Sequence, residues 1–218
     1  MSRSQFSLLA AGITVAGLTI VVLAARSVHR LLPSPKRILA GSFLLIYGVI
    51  LVLRPSAWPF IDLAVLTGAV GGVLLLEGGL QTKATVVVFL SVAAIVDVGS
   101  MSGGLSHLLV ERYRTGTSDF LLYLTLVAPI RDRAIPIVGI GDLLVGGAAA
   151  TALLRLGLRP VPVMGTSAIG LLSALAYGLW RGGAPALPFV TVFVLILVWQ
   201  NRIRAGRQPR PEAASSGD

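Results

Sequence analysis

The 218-residue chain has no cysteine, two histidines and nine acidic residues, and only 12% of it is charged. Without cysteine, a disulfide scaffold and a Cys-ligated metal site are excluded. So little charge beside 55% hydrophobic residues excludes a disordered chain and an ordinary soluble domain. What is present points elsewhere. The mean hydropathy is +0.88, and the apolar residues form blocks near the roughly 20-residue length that spans a bilayer as helix. A polytopic membrane protein follows. Its net charge of +9 comes from 18 Lys and Arg. Most of these cations stand at the ends of apolar blocks, which suits membrane orientation rather than nucleic-acid binding.

An all-α transmembrane bundle is expected, with seven spans at residues 6–25, 38–53, 58–80, 84–104, 134–156, 161–180 and 185–200. Three fall in an N-terminal group (1–83) and four in a second group (84–201), and a basic tail rich in Arg, Pro and Ser (202–218) reads as disordered. Arg3 before the first apolar run imitates a secretory signal, but Arg26, Arg30, Lys36 and Arg37 behind it favour a retained anchor. Residues 119–129 are apolar but too short to span, and their Tyr, Thr and Val suit an interfacial strand or a short surface helix. With seven spans, the cations favour an outside N-terminus and an inside C-terminus. Trp58, Trp180 and Trp199 lie near span ends, where an aromatic belt belongs. Arg far outnumbers Lys and Ala and Gly are abundant, which points to a GC-rich prokaryotic genome and to a multi-pass protein of its cell membrane.

A carboxylate in hydrocarbon costs about 2.5–3.5 kcal/mol even on insertion scales, so acids within spans mark where function is sought. Asp62 and Glu77 lie near the ends of the third span, within reach of interfacial water or a neighbouring Arg. Asp97 and Asp142 lie deeper: about 10 Å from the end of an antiparallel helix pair for Asp97, and about 12 Å for Asp142 if its helix begins near Ala134. Two carboxylates can then meet at matched depth. Like charges at close range do not both ionise, so one holds a proton while the other acts as a base on water. In the alternative, each Asp binds Ser, Thr or backbone on a neighbouring helix.

The neighbours of these acids add detail. Asp142 closes Gly139-Ile140-Gly141-Asp142, where two absent side chains let a helix or a substrate backbone approach. The last span opens with Gly182-Gly183-Ala184-Pro185-Ala186-Leu187-Pro188, whose prolines remove backbone donors at a membrane-embedded end. Carbonyls left there can pair with an extended peptide, although an ordinary Pro-started helix reads the same way.

In this order the motifs resemble the presenilin and signal peptide peptidase family of GxGD intramembrane aspartyl proteases, over residues 84–200. The resemblance implies a metal-independent aspartic endopeptidase that needs no cofactor and cuts transmembrane segments of other membrane proteins in the lipid bilayer. It implies Asp97 and Asp142 as the catalytic dyad, and Gly139, Gly141, Pro185, Ala186 and Leu187 as substrate-binding positions. It also sets the region 119–133 where such enzymes recruit substrate by β-pairing. Two features depart from the family. Val96 stands where a Tyr usually precedes the first Asp, and seven spans stand in place of nine.

Other functions fit parts of the pattern. A prepilin-peptidase-like enzyme also uses a GxGD aspartate but does not require Pro185-Ala186-Leu187. A small proton- or cation-coupled transporter would use the same two acids, with helices broken at the glycines and Pro185, and an inactive scaffold of the same fold would use neither. His29 and His107 lack the spacing of a metal pair, and Ser100, Ser102 and Ser106 have no Lys or His suitably spaced within a span. The pairs Gly71-Gly72, Gly78-Gly79 and Gly146-Gly147 suit close helix packing.

Overall fold

The computed structural model describes residues 3–31, 36–53, 58–130, 133–181 and 184–206. Within them the chain is mostly helical. Four helices are long and apolar enough to cross a membrane: α1 (Arg3–Leu31), α3 (Trp58–Leu76), α4 (Lys83–Met101) and α7 (Pro160–Arg181). Helices α2 (Lys36–Leu53) and α8 (Leu187–Gly206) contain shorter apolar stretches. A short helix, α5 (Leu105–Arg114), follows α4 and had no counterpart among the expected spans.

The segment expected as a helix over 134–156 divides in two. Residues 133–139 form a strand, β2 (Arg133–Gly139), and α6 (Ile140–Arg155) begins only afterwards. Pro136 explains the break, because it lacks an N–H and turns the residue before it away from helix, while Ile135, Ile137 and Val138 favour extended backbone. β2 pairs antiparallel with β1 (Thr125–Ile130), which a 3-10 turn over Phe120–Leu124 precedes. Residues 119–129 thus hold both a short helical turn and a strand.

Helix α6 is the hub. It packs on α1, α3, α4, α7 and α8, and every residue from Gly146 to Leu153 is buried. Small residues make this possible. A β-carbon on Gly72 would overlap the Leu144 side chain, and one on Gly147 would come within 2.9 Å of Val21. Gly71 likewise packs against Phe43 and the Ala40 carbonyl, so the expectation of close packing holds at two of the three glycine pairs. It fails at Gly78 and Gly79, where an added β-carbon would meet nothing within 4 Å. These two residues belong to a 3-10 turn after α3 instead of a helix interface.

α6 ends in a Schellman motif. Gly157 takes a left-handed φ of 82°, its N–H bonds the Leu154 carbonyl, and the Leu158 N–H bonds that of Leu153. One hydrophobic cluster links Leu18, Val21 and Val22 of α1 with Leu143 and Leu153 of α6 and Val190 of α8, so the first helix is part of the core. α8 continues to Gly206, past residue 202 where a disordered tail was expected. Residues 207–218 lie outside the described residues.

Candidate active site

Asp97 sits in the last part of α4, half-buried, and faces the start of α8. The first N–H groups of a helix have no acceptor within it. Here the Leu187 N–H donates to Asp97 Oδ2 at 3.0 Å, while Pro185 and Ala186 remain non-helical before it. A second contact holds the same pair of helices: Thr191 Oγ1 donates to the Leu90 carbonyl at 3.1 Å, one to two turns away. The backbone bond from Leu187 thus fixes Asp97 and the Pro185-Ala186-Leu187 segment against each other.

Asp142 is the third residue of α6, with Gly139 as its N-cap. Its expected place eight residues inside a helix is corrected by the strand that precedes it. The chain reaches Asp142 mostly as extended backbone, which rises about 3.3 Å per residue against 1.5 Å in a helix. The Gly139 N–H donates to Asp142 Oδ2 at 3.2 Å. A β-carbon on Gly139 would stand 3.1 Å from that oxygen, while one on Gly141 would meet nothing within 4 Å. Gly141 therefore borders open space, one residue before Asp142. Packing of α4 on α6 sets Asp97 and Asp142 within electrostatic range of each other. The structure thus brings together all seven residues expected at the site, around the N-terminal ends of α6 and α8. Val96 is 63% exposed and faces outward.

Three side chains that sequence reasoning did not assign to the site hold the hairpin. The Val127 N–H donates to Asp62 Oδ1 at 2.8 Å, next to a bulge where Leu126 pairs with Val138 and Val127 with Pro136. Asp62 thus binds backbone of β1, a partner that its place near a span end did not suggest. Tyr47 of α2 donates its hydroxyl to the Tyr123 carbonyl at 3.0 Å, and Tyr113 of α5 donates to the Ala134 carbonyl at 2.6 Å. Pro136 was a readable sign that residues 133–139 leave the helix, but nothing in the sequence linked Asp62 to β1, Tyr47 to the turn before it or Tyr113 to β2.

Glu77 meets the expectation of a neighbouring Arg: its Oε1 lies 3.5 Å from the Arg155 guanidinium, which also donates to the Glu77 carbonyl at 3.2 Å. Ser100 and Ser106 bond each other across 2.7 Å and Ser102 donates to the Val98 carbonyl. His107 is exposed on α5, and the side chain of His29 lies outside the described residues. Among the described residues no group of three or more His, Cys, Asp or Glu could hold a metal. The fold and the site show a mostly helical chain with four helices long and apolar enough to cross a membrane, and Asp97 and Asp142 on two helices that pack together. No protein-family model matches the chain, and no curated protein or solved structure matches it either.

Proposed function

We propose that the chain is an intramembrane aspartic endopeptidase of the presenilin and signal peptide peptidase type, hydrolysing peptide bonds in transmembrane segments of other membrane proteins. The observation that carries this reading is the 3.0 Å bond from the Leu187 N–H to Asp97, on a helix that packs against the one carrying Asp142. It joins two motifs that lie far apart in sequence. In this reading α1, α2, α3, α4, α7 and α8 are spans, and β2 with α6 makes a seventh. α6 alone, at 16 residues or about 24 Å, is shorter than the roughly 30 Å hydrocarbon core.

The chemistry follows from the pair. One carboxylate takes a proton from water as the water oxygen attacks the peptide carbonyl carbon, and the other, protonated, gives its proton to the carbonyl oxygen. The resulting gem-diol collapses: the C–N bond breaks, the amide nitrogen takes a proton from the first carboxyl group, and a hydroxyl proton returns to the second. A carboxylic acid and an amine leave, and the dyad is restored. Backbone beyond the helices at this depth is tolerated only beside protein or water, and in this reading water reaches the dyad along the hairpin and the Pro185 segment.

The test is cleavage of single-span reporters in liposomes by the parent, Asp97→Ala and Asp142→Ala, matched for folding. Each variant is expected to lose at least about 10²-fold in rate, the lower range for removal of a positioned acid or base. The rate should persist in a chelator. A parent no faster than either variant would overturn the reading and make solute flux through the same liposomes the next measurement.

A further inference from the structure

We propose that Thr191 sets the register of α8 on α4 and so holds the Pro185-Ala186-Leu187 segment against Asp97, as a positioning residue for the chemical step. The inference rests on the proteolytic reading above and adds to it a residue outside the dyad and its motifs.

A Thr hydroxyl within a helix commonly bonds the carbonyl four residues back on its own helix. Thr14, Thr19, Thr67 and Thr166 do so, to Ala10, Val15, Leu63 and Pro162. Thr191 is buried and does otherwise: its hydroxyl crosses to the Leu90 carbonyl of α4, 3.1 Å away.

The place of this bond gives it leverage. Where α4 packs on α8, the other buried side chains are apolar, Val86 and Leu90 on α4 and Val190, Val194 and Leu197 on α8. Lipid tails are as apolar as these side chains, so such packing leaves a small rotation or slide of one helix on the other inexpensive. A directional bond removes that freedom, as a single buried polar residue fixes register in paired helices. Leu90 precedes Asp97 by seven residues and Thr191 follows Leu187 by four, both close to whole turns. The two inter-helix bonds therefore lie along one face of each helix. One bond alone would leave α8 free to pivot about it, and two fix its orientation.

The opposite side of α8 is closed at the same level. A β-carbon on Gly170 of α7 would come within 2.6 Å of the Val190 α-carbon, so the two backbones touch there. Val190 and Thr191 are successive residues, about 100° apart around the helix axis. α7 thus stops α8 from backing away where Thr191 ties it to α4. Toward the dyad the chain has few bonds of its own: Pro185 and Pro188 carry no N–H, and residues 184–186 precede the helix. The Val190 N–H bonds the Ala186 carbonyl at 3.3 Å, which ties this segment directly to the pinned level.

The same prolines make the test selective, because amide exchange over residues 185–188 reports Ala186 and Leu187 alone. Thr191→Val keeps the shape of the side chain and removes the hydroxyl. In detergent it is expected to speed exchange of that stretch at least about threefold, with the amides of α6 unchanged. In cleavage of single-span reporters its kcat should fall about 3- to 20-fold, the worth of an interhelical bond in a membrane, with KM within about twofold. Thr191→Ser, which keeps the hydroxyl, should restore both. Equal exchange in the parent and Thr191→Val overturns the proposal, as does an unchanged kcat, a rise in KM alone, or a Thr191→Ser protein no better than Thr191→Val. If Thr191→Val does not fold, Thr191→Ala is compared with Thr191→Ser, a pair that again differs by the hydroxyl alone, and equal exchange in the two overturns it. A parent that cleaves no reporter sinks the proteolytic reading alone, since exchange needs no substrate.

Discussion

Single side chains decide how tightly this bundle closes. Gly72 and Gly147 lie where α6 meets α3 and α1 without room for a methyl group. Gly147→Leu is expected to destabilise by about 1–3 kcal/mol through overpacking, read as a lowered thermal midpoint in detergent. Gly141 behaves oppositely: its vacant side faces open space. Gly141→Ala should keep the parent's thermal midpoint and slow reporter cleavage, because the added methyl enters only the space a substrate backbone would use. A parallel loss of midpoint would mean that this space is filled. The Glu77 and Arg155 pair lies between these cases. Glu77 is 2% exposed and Arg155 36%, so Glu77→Ala is expected to cost about 1–3 kcal/mol, less than a fully buried pair. At this scale the sequence was informative where a residue is costly in a membrane. Asp97, Asp142 and Glu77 announced themselves because acids are rare in apolar runs. Asp62 was equally visible, but its partner is a backbone N–H in a strand sixty-five residues away, and no residue type encodes such a bond.

Among the elements, the apolar blocks were legible because hydrocarbon selects length and composition directly. α1, α3, α4 and α7 follow from that rule alone. The boundary between β2 and α6 did not, since apolar residues mark membrane depth without distinguishing strand from helix. Pro136 and the β-branched residues around it carry the difference. α5 escaped for another reason: with His107, Glu111, Arg112 and Arg114 in ten residues it is too polar to register as a span. Local chemistry still sets where elements begin. Thr82 and Thr85 form a reciprocal capping box at the start of α4, so Thr82→Ala is expected to cost about 1 kcal/mol and to speed hydrogen exchange in its first turn. α5 is tethered to the hairpin through the Tyr113 hydroxyl. Tyr113→Phe should raise exchange of the α5 amides while those of α6 stay protected; equal exchange in both proteins would show that this bond does not hold the helix down.

For the molecule as a whole, the arrangement around α6 governs more than the site. The helix that most needs neighbours is the one that carries Asp142, Thr151 and Arg155, and it is surrounded by five others. Such a segment, with Asp142 where its strand meets its helix, is a poor passenger for a translocation channel, where a charge at mid-span costs about 2.5–3.5 kcal/mol. Residues 133–158, placed as the sole translocating segment of a carrier protein, are expected to fail insertion in a glycosylation assay in which Pro59–Gly79 succeeds. The order of synthesis offsets this handicap. α1, α3 and α4 leave the ribosome before α6, so the grooves that receive Gly147 and Leu144 exist when it emerges. On the membrane reading proposed above, the early helices are expected to act as an internal chaperone for the late one, with the acid-bearing segment meeting protein before lipid.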